Sequence, residues 1–386
     1  MMGQSLVADN SGLMLVPQGE FELLRNPRED HLQAWDAADE MLLGHLQELQ
    51  ILTRDSRVLI INDSFGALAV ALADCRVYSW NDSCLAQKAM MDNLLLNGYQ
   101  ADRIEINSGI DFPDYSVDCV LIKIPKTLAL LEHQLFQLRR VLHRESRIIA
   151  AAMARYIHSS TLELFETILG PTTTTRAWKK SRLIKTERDH SMNEGQSQFP
   201  ESYQLVVDRE YQISNHASLF SRDRLDQGSR FLIENMPVSG TYNHIVDLGC
   251  GNGVLGIIAA SLNPQARLLF SDESHMAIAS AEENFHNAFA QQRQAVFMVG
   301  DCLQTLAPNS QDLVLNNPPF HQQHSNSDAT AWNMFKDARR VLVVGGELWV
   351  VGNRHLGYHV KLKKLFGNCE TRTGNKKYVI LKATKT

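Results

Sequence analysis

Asn317-Pro318-Pro319-Phe320 are the residues of this chain whose types and order best suit chemistry on a planar amine. Two consecutive prolines have no amide hydrogens to donate, so a strand that reaches them must leave its sheet and turn. The turn leaves the side-chain oxygen of Asn317 and the carbonyl of Pro318 as hydrogen-bond acceptors, and Phe320 offers a flat face for stacking. Acceptors placed there pull an amine out of conjugation and stabilise the positive charge that develops on it. His321 and His324 follow directly. As a general base or a metal pair they lack a third ligand, and they read as loop residues in the polar stretch "HQQHSNSDAT".

A second constellation lies upstream in "DLGCGNGVLG", where Gly249, Gly251 and Gly253 separate an apolar strand run from a helical one. Glycines there let backbone amides approach a ligand at a helix N-terminus. Gly251, Gly253 and Gly256 also spell a dinucleotide-binding fingerprint, with Asp272 about twenty residues further on. On the glycines alone a nicotinamide enzyme stands as an alternative. Asp247, which ends the strand just before the turn, weighs the other way. Its carboxylate suits a cofactor carrying sulfonium and ammonium charges and would repel a pyrophosphate.

The elements that must position these residues alternate between apolar β-runs and amphipathic helical stretches, an α/β pattern with a doubly wound sheet. The pattern occurs twice. "HIVDLGCGNGVLGIIAASL", "ARLLFSDES", "DLVLNNPPF", "WNMFKDARRVL" and "GELWVVGN" in the second half answer to "RVLIINDSFGALAVALA", "VYSWNDS", "VDCVLIKIPK", "HQLFQLRRVL" and "RIIAAAMARY" in the first. "TTTTRAWKKSRLIKTE" and "ETRTGNKKYVILKATK" are expected to close each half with a hairpin, with Lys179–Lys180 and Lys376–Lys377 at matching places. Tandem duplication predicts a degenerate domain over 1–188, a linker over 189–200 and an active domain over 201–386.

The 386 residues exceed one ordinary core, and the 44% hydrophobic and 21% charged content is that of a soluble globular protein. The net charge of −5 excludes bulk electrostatic attraction to nucleic acid, so any basic surface must be local. No run is long and apolar enough for a transmembrane helix. The six cysteines are scattered without a C-x-x-C pair. A reduced, cytoplasmic protein without structural zinc is expected.

Taken together, these residues resemble the class I S-adenosylmethionine-dependent methyltransferases that carry a [D/N]-P-P-[F/Y] motif. The resemblance is closer to the two-domain bacterial ribosomal RNA guanine-N2 methyltransferases, the RlmG/RsmC group. It covers nearly the whole chain, and "LFSRDRLDQGSRFLIENMP" looks like that group's approach to its catalytic domain. It implies two tandem Rossmann-like domains, the first silent. It further implies that Asp247, Gly249, Gly251 and Gly253 cradle the methionine end of the cofactor. Asp272, or less well Glu273, would take the ribose hydroxyls. Asp301 in "VGDC" would hold the adenine amino group, with Cys302 beside the ring. Asn317, Pro318 and Phe320 would receive an unpaired or flipped guanine. "NNPPFHQQH" resembles the large-subunit, 23S, member more than the small-subunit, 16S, one. Protein-glutamine methylation, DNA adenine methylation and a silent RNA-binding scaffold are the other readings of the motif.

In the first half Ile60 stands at the place of Asp247, Asn62 at Gly249, Ser64 at Gly251, Asn81 at Asp272 and Lys123 at Asn317, and only Gly66 survives, opposite Gly253. That half is expected to hold no cofactor and to bind RNA phosphates. Lys123, Lys126 and the aromatic-basic hairpin Arg176, Trp178, Lys179, Lys180 and Arg182 would do so, joined by Lys376 and Lys377 of the second half. A monomer that uses no metal is expected.

Overall fold

Runs such as Ile245–Leu248 cannot leave either sheet face in water, and in the computed structural model they become parallel strands covered on both faces. The structure describes residues 12–26, 32–192, 195–219, 224–290, 292–319 and 324–386, without the side chains of 324–327. The chain divides into two compact units, Met1–Gln198 and Phe199–Thr386.

The second unit opens with a hairpin, Glu201–Val206 and Glu210–Asn215, and a short helix, Gln227–Ile233. Seven strands follow: His244–Leu248, Arg267–Asp272, Ala295–Val299, Gln311–Asn316, Leu342–Asn353, Glu370–Gly374 and Tyr378–Thr384. Their order across the sheet is third, second, first, fourth, fifth, seventh, sixth. The first five run parallel and the seventh runs antiparallel to the fifth. Strand residues alternate between faces. Ile245, Leu313 and Leu315 pack in one core with the helices Val254–Leu262 and His275–Phe289. Val246, Val314 and Leu348 pack in another with His324–Val341 and Tyr358–Phe366. Chain order reverses between the first and fourth strands, and this switch point is where open α/β sheets place their ligands.

The first unit has the same plan in the same order. Its strands are Arg57–Ile61, Arg76–Trp80, Glu105–Asn107, Val117–Lys123, Leu142–Met153, Thr172–Thr174 and Ser181–Thr186, again ordered third, second, first, fourth, fifth, seventh, sixth. The repeat extends further upstream than the alternation of the sequence suggests. A hairpin, Leu13–Val16 with Gly19–Glu22, and a helix, Ala37–Leu49, precede the first strand here as well.

Ladder register makes the two units comparable residue by residue. Ile61 lies opposite Trp80 on one side and Ile122 on the other; Leu248 lies opposite Ser271 and Asn316. Ile60 therefore matches Asp247, Asn81 matches Asp272, and Lys123 matches Asn317. The expected linker is not a free tether. Asp189 N–H donates to the Leu169 carbonyl at 2.8 Å, and the Ser197 hydroxyl lies 2.8 Å from His133 Nδ1.

Candidate active site

The carboxyl edge of the second sheet collects the residues singled out in the sequence. Asp247 sits near the end of the first strand, Asp272 ends the second, Asp301 follows the third and Asn317 follows the fourth. Gly249, Gly251 and Gly253 all have positive φ, at 68°, 52° and 79°. Gly253 caps the helix Val254–Leu262 without a side chain.

Asp247 is fully buried. Its Oδ2 accepts from Gly256 N–H at 2.8 Å, and its Oδ1 has no hydrogen-bond partner among the described residues. Burial lifts this carboxyl to about 8; the Gly256 amide pulls it down and the charge of Asp272 pushes it up. Gly256, the third glycine of the dinucleotide fingerprint, thus gives its amide to the protein's own carboxylate, and a side chain there would collide with Phe270. Acidic groups at Asp247 and Asp272 disfavour the negative charge of a pyrophosphate at this turn, which weighs against the nicotinamide alternative. Asp272 is fixed by two backbone donors, Gly251 N–H to Oδ2 at 3.0 Å and Ser274 N–H to Oδ1 at 3.1 Å. The space beside Gly251 is open, with no atom within 4 Å of where a Cβ would stand. Asp301 accepts from Gln304 Nε2 at 2.6 Å, and burial together with the neighbouring Asp301 charge raises the Cys302 thiol. Three carboxylates, an orphaned buried oxygen and an open glycine cradle fit a cationic cofactor such as S-adenosylmethionine.

Asn317 is held from a direction its motif does not reveal. Its Nδ2 donates to Asp226 Oδ2 at 3.1 Å and to Ser229 Oγ at 2.9 Å. Asp226 caps the helix Gln227–Ile233, and Ser229 is in its first turn. Flipping the amide would set its oxygen against the Asp226 carboxylate, so the orientation is dictated by charge. Asn317 Oδ1 is left buried with no partner among the described residues, and an unmet acceptor of this kind costs about 1–3 kcal/mol until a donor arrives. Asn316 is buried on the strand and donates to the Leu248 carbonyl at 2.7 Å, tying the catalytic strand to the glycine turn. Asp226, Ser229 and Asn316 are the residues that sequence reasoning missed. The only signal for the first two was the segment "LDQGSRFLIENMP". Pro318 is buried beside Asn317. Phe320 and His321 lie outside the described residues, and His324 opens the helix that follows.

The first unit repeats this framework with its functions replaced. Lys123 does not face solvent for RNA. Its ammonium pairs with Asp36 and Asp39, both at 2.7 Å, and its side chain is 16% exposed. Asp36 caps the helix Ala37–Leu49 and Asp39 lies three residues on, so the Lys–Asp–Asp cluster stands where Asn317, Asp226 and Ser229 stand in the second unit. A lysine at the end of this strand turns inward because two carboxylates await it; the phosphate role expected for Lys123 is withdrawn. The turn is closed as well. Asn62, at φ 64° in the place of Gly249, donates to the Lys123 carbonyl at 2.9 Å and to Gln134 Oε1 at 3.0 Å, and Gln134 returns a bond of 2.8 Å. Asp63 accepts from the amides of Gly66, Ala67, Leu68 and Ala69 at 2.9–3.1 Å and takes up the helix N-terminus itself. Lys126, Arg176, Trp178, Lys179, Lys180 and Arg182 are exposed, as are Lys376 and Lys377. Lys179 also pairs with Glu40 at 2.8 Å and lies 4.6 Å from the centre of the Trp178 ring.

The second unit is thus built as a methyltransferase domain: residues 210–382 match the family model described as methyltransferase small domain, and residues 13–190 match the RLMG N-terminal domain. The chain is 50% identical over 380 residues to the ribosomal RNA large subunit methyltransferase G of Yersinia enterocolitica, covering 97% of this chain and 94% of that one. With the protein of the same name from Streptomyces coelicolor it shares 46% over 379 residues, covering 96% and 100%. It belongs to the ribosomal RNA large subunit methyltransferase G family. A structure of the T. thermophilus 16S rRNA N2 G1207 methyltransferase, in complex with AdoMet and guanosine, covers 98% of this chain at a TM-score of 0.74 and 19% identity, and shares its fold. No described helix is long and apolar enough to cross a membrane, and no three His, Cys, Asp or Glu side chains among the described residues are grouped to hold a metal.

Proposed function

We propose that the protein transfers a methyl group from S-adenosylmethionine to the exocyclic N2 amine of one guanine in large-subunit, 23S, ribosomal RNA. The observation that carries this is Asn317, whose two amide hydrogens are committed to Asp226 and Ser229 while its buried oxygen has no donor among the described residues. In this reading the amine gives one N–H to that oxygen and the other to the Pro318 carbonyl. Both bonds pull the nitrogen toward a tetrahedral, nucleophilic shape and stabilise the charge it gains. The cofactor supplies a methyl group on a sulfonium. The amine's lone pair forms the new C–N bond, the C–S electron pair returns to a now neutral sulfur, and the nitrogen then loses one proton to water. Alignment does most of the rest. Asp247 and the glycine turn hold the methionine end, Asp272 the ribose, and Asp301 with Cys302 the adenine. Phe320 stacks on a guanine that is unpaired or flipped, because a paired amine is blocked.

The first unit, through residue 188, binds RNA through its exposed hairpin, and 189–200 joins it to the catalytic unit. The protein works as a cytoplasmic monomer without a metal. Transfer from labelled S-adenosylmethionine to separated, unmodified 16S and 23S RNA, with nucleoside analysis, tests the reading. N2-methylguanosine in 23S RNA is expected, and abolished by Asn317→Ala with cofactor binding intact. Transfer to 16S RNA alone, or full activity in that variant, overturns it.

A further inference from the structure

A groove of about 240 Å³ opens beside the Asn317 site, lined by Arg230 and Phe231 of the short helix, by Glu234 at its C-cap, and by Lys377 and Tyr378 of the closing hairpin. It adjoins the amine acceptor: a Cβ on Gly228 would stand 3.5 Å from both Asn317 Oδ1 and the Tyr378 ring, so both lie against this glycine. The helix serves both sides: Asp226 and Ser229 hold Asn317, and the next residue, Arg230, lines the groove. Lys377 Nζ lies 4.9 Å from the centre of the Tyr378 ring and 3.5 Å from Gln227 Oε1. Among the described residues neither Arg230 nor Lys377 forms an ion pair. With two cations against the single carboxylate of Glu234, the groove lining is net positive and favours an anion.

The silent unit supplies an internal control. Matched through Asp36 with Asp226 and Asp39 with Ser229, the position of Arg230 is held by Glu40, and Glu40 pairs with Lys179 at 2.8 Å. The unit without an active site is also without the cationic pair. Phe231 adds a ring face and Glu234, one helical turn beyond Arg230, adds an acceptor for a base edge. A lone phosphate would use neither.

Resting on the function proposed above, we infer that this groove seats the nucleotide joined to the target guanosine, with its phosphate between Arg230 and Lys377 and its base against Phe231. Fixing the neighbour fixes the register of the flipped guanine over Asn317.

The test compares Arg230→Gln, Lys377→Gln and the double variant with the wild type on 23S RNA. Each single variant is expected to raise KM about tenfold and to lower the salt slope of binding by about 0.7 for each phosphate it no longer neutralises. S-adenosylmethionine affinity should stay unchanged. Arg230→Lys and Lys377→Arg should restore the slope, which a merely misfolded helix would not. A short guanosine-containing oligoribonucleotide serves as a competitor. Methylphosphonate at the linkages flanking its guanosine should weaken inhibition of the wild type about tenfold and leave the double variant indifferent. Wild-type KM and salt slope in the double variant overturn the inference. With Asn317→Ala inactive in the same series, that result removes the groove alone; with Asn317→Ala active, the reading beneath it falls too.

Discussion

The Asn317 amide nitrogen lies 2.9 Å from the Ser229 hydroxyl, and with Asp226 at 3.1 Å this fixes which way the amide proposed to receive the substrate faces. Removing the Ser229 anchor loosens the amide without removing its oxygen. Ser229→Ala is therefore expected to lower kcat about tenfold, in the range of one hydrogen bond to a charged or oriented group. Affinity for S-adenosylmethionine should not change. Single-turnover methylation measures the drop; an unchanged rate would mean that Asp226 alone holds the amide.

Placed at the methionine end of the cofactor, as proposed, Asp247 should make cofactor binding depend on pH. Its carboxyl is raised by burial to about 8, so in the cofactor-free protein at neutral pH it is largely protonated, whereas a cationic cofactor favours the anion. Binding below pH 8 then releases a proton, and affinity should climb by up to about tenfold per pH unit toward pH 8 and level off above it. The sign for stability is opposite. A folded-state pKa above the unfolded one means that the contribution of Asp247 is present below about pH 4 and is lost as pH rises toward 8. Calorimetric titration of S-adenosylmethionine at several pH values in two buffers of different ionisation enthalpy reads the released proton, and Asp247→Asn should abolish it.

Lys123 is a structural residue and should behave as one. Lys123→Met strands Asp36 and Asp39 without their cation, and removing one partner of a buried pair typically costs about 3 kcal/mol. Burial already raises Asp39 to about 7 against the pull of Lys123, so the variant can relieve itself by taking up a proton in acid. The destabilisation should be larger at pH 8 than at pH 5.5, and the salt slope of RNA binding should not move. Denaturant titration at the two pH values decides; a slope that falls with stability intact would return Lys123 to the RNA surface.

These cases show which parts of the molecule were legible before its fold. The glycine turn, Asp247, Asp272 and Asn317 announce themselves because each depends on neighbours a few residues away: a strand end, a turn, a pair of prolines. The internal repeat was legible for the same reason, since small motifs recur in one order. Asp226 was not, because it meets Asn317 across 91 residues and carries no motif of its own. Lys123 was misread because a sequence displays charge and not exposure; its partner Asp36 lies 87 residues earlier. Long-range pairing decided both, and only the packing of the first helix against the sheet edge brings the partners together.

The exposed hairpin of the first unit carries a testable tension between stability and binding. Lys179 and Lys180 form its two-residue turn, both at positive φ (45° and 66°), between Trp178 and Ser181, which exchange backbone hydrogen bonds at 2.9 and 2.8 Å. Asn-Gly is the pair such turns favour. Replacing Lys179–Lys180 by Asn-Gly should raise stability by about 1 kcal/mol by relieving the left-handed backbone. The same change should reduce the salt slope of RNA binding by roughly 0.7 for each phosphate that these lysines neutralise. Thermal unfolding and filter binding across a salt series measure the two effects; a gain in stability without a change in slope would take this hairpin out of the RNA site.

The first unit also shows how a cofactor cleft can be shut while its sheet is kept, and the recipe is portable. Asn62 and Gln134 exchange amide bonds across the mouth of that cleft. Counted from the shared strand starts, their counterparts are Gly249 and Met334, and Met334 Cε would lie only 2.8 Å from a Cβ on Gly249. Gly249→Ala alone forces that approach at a φ of 68° and should both destabilise the fold and weaken cofactor binding. Gly249→Asn combined with Met334→Gln removes the clash. Asparagine tolerates the left-handed region, as Asn62 does at 64°, and the glutamine can take up the reciprocal bonds. The double variant should therefore unfold within about 1 kcal/mol of the wild type yet bind S-adenosylmethionine at least tenfold more weakly, because its side chains would fill the place proposed for the meeting of backbone and cofactor. Equilibrium unfolding together with cofactor titration separates the two effects. Retained binding would mean that the glycine turn does not border the cofactor, and loss of fold in the double variant would mean that the silent cleft is held shut by more than this pair.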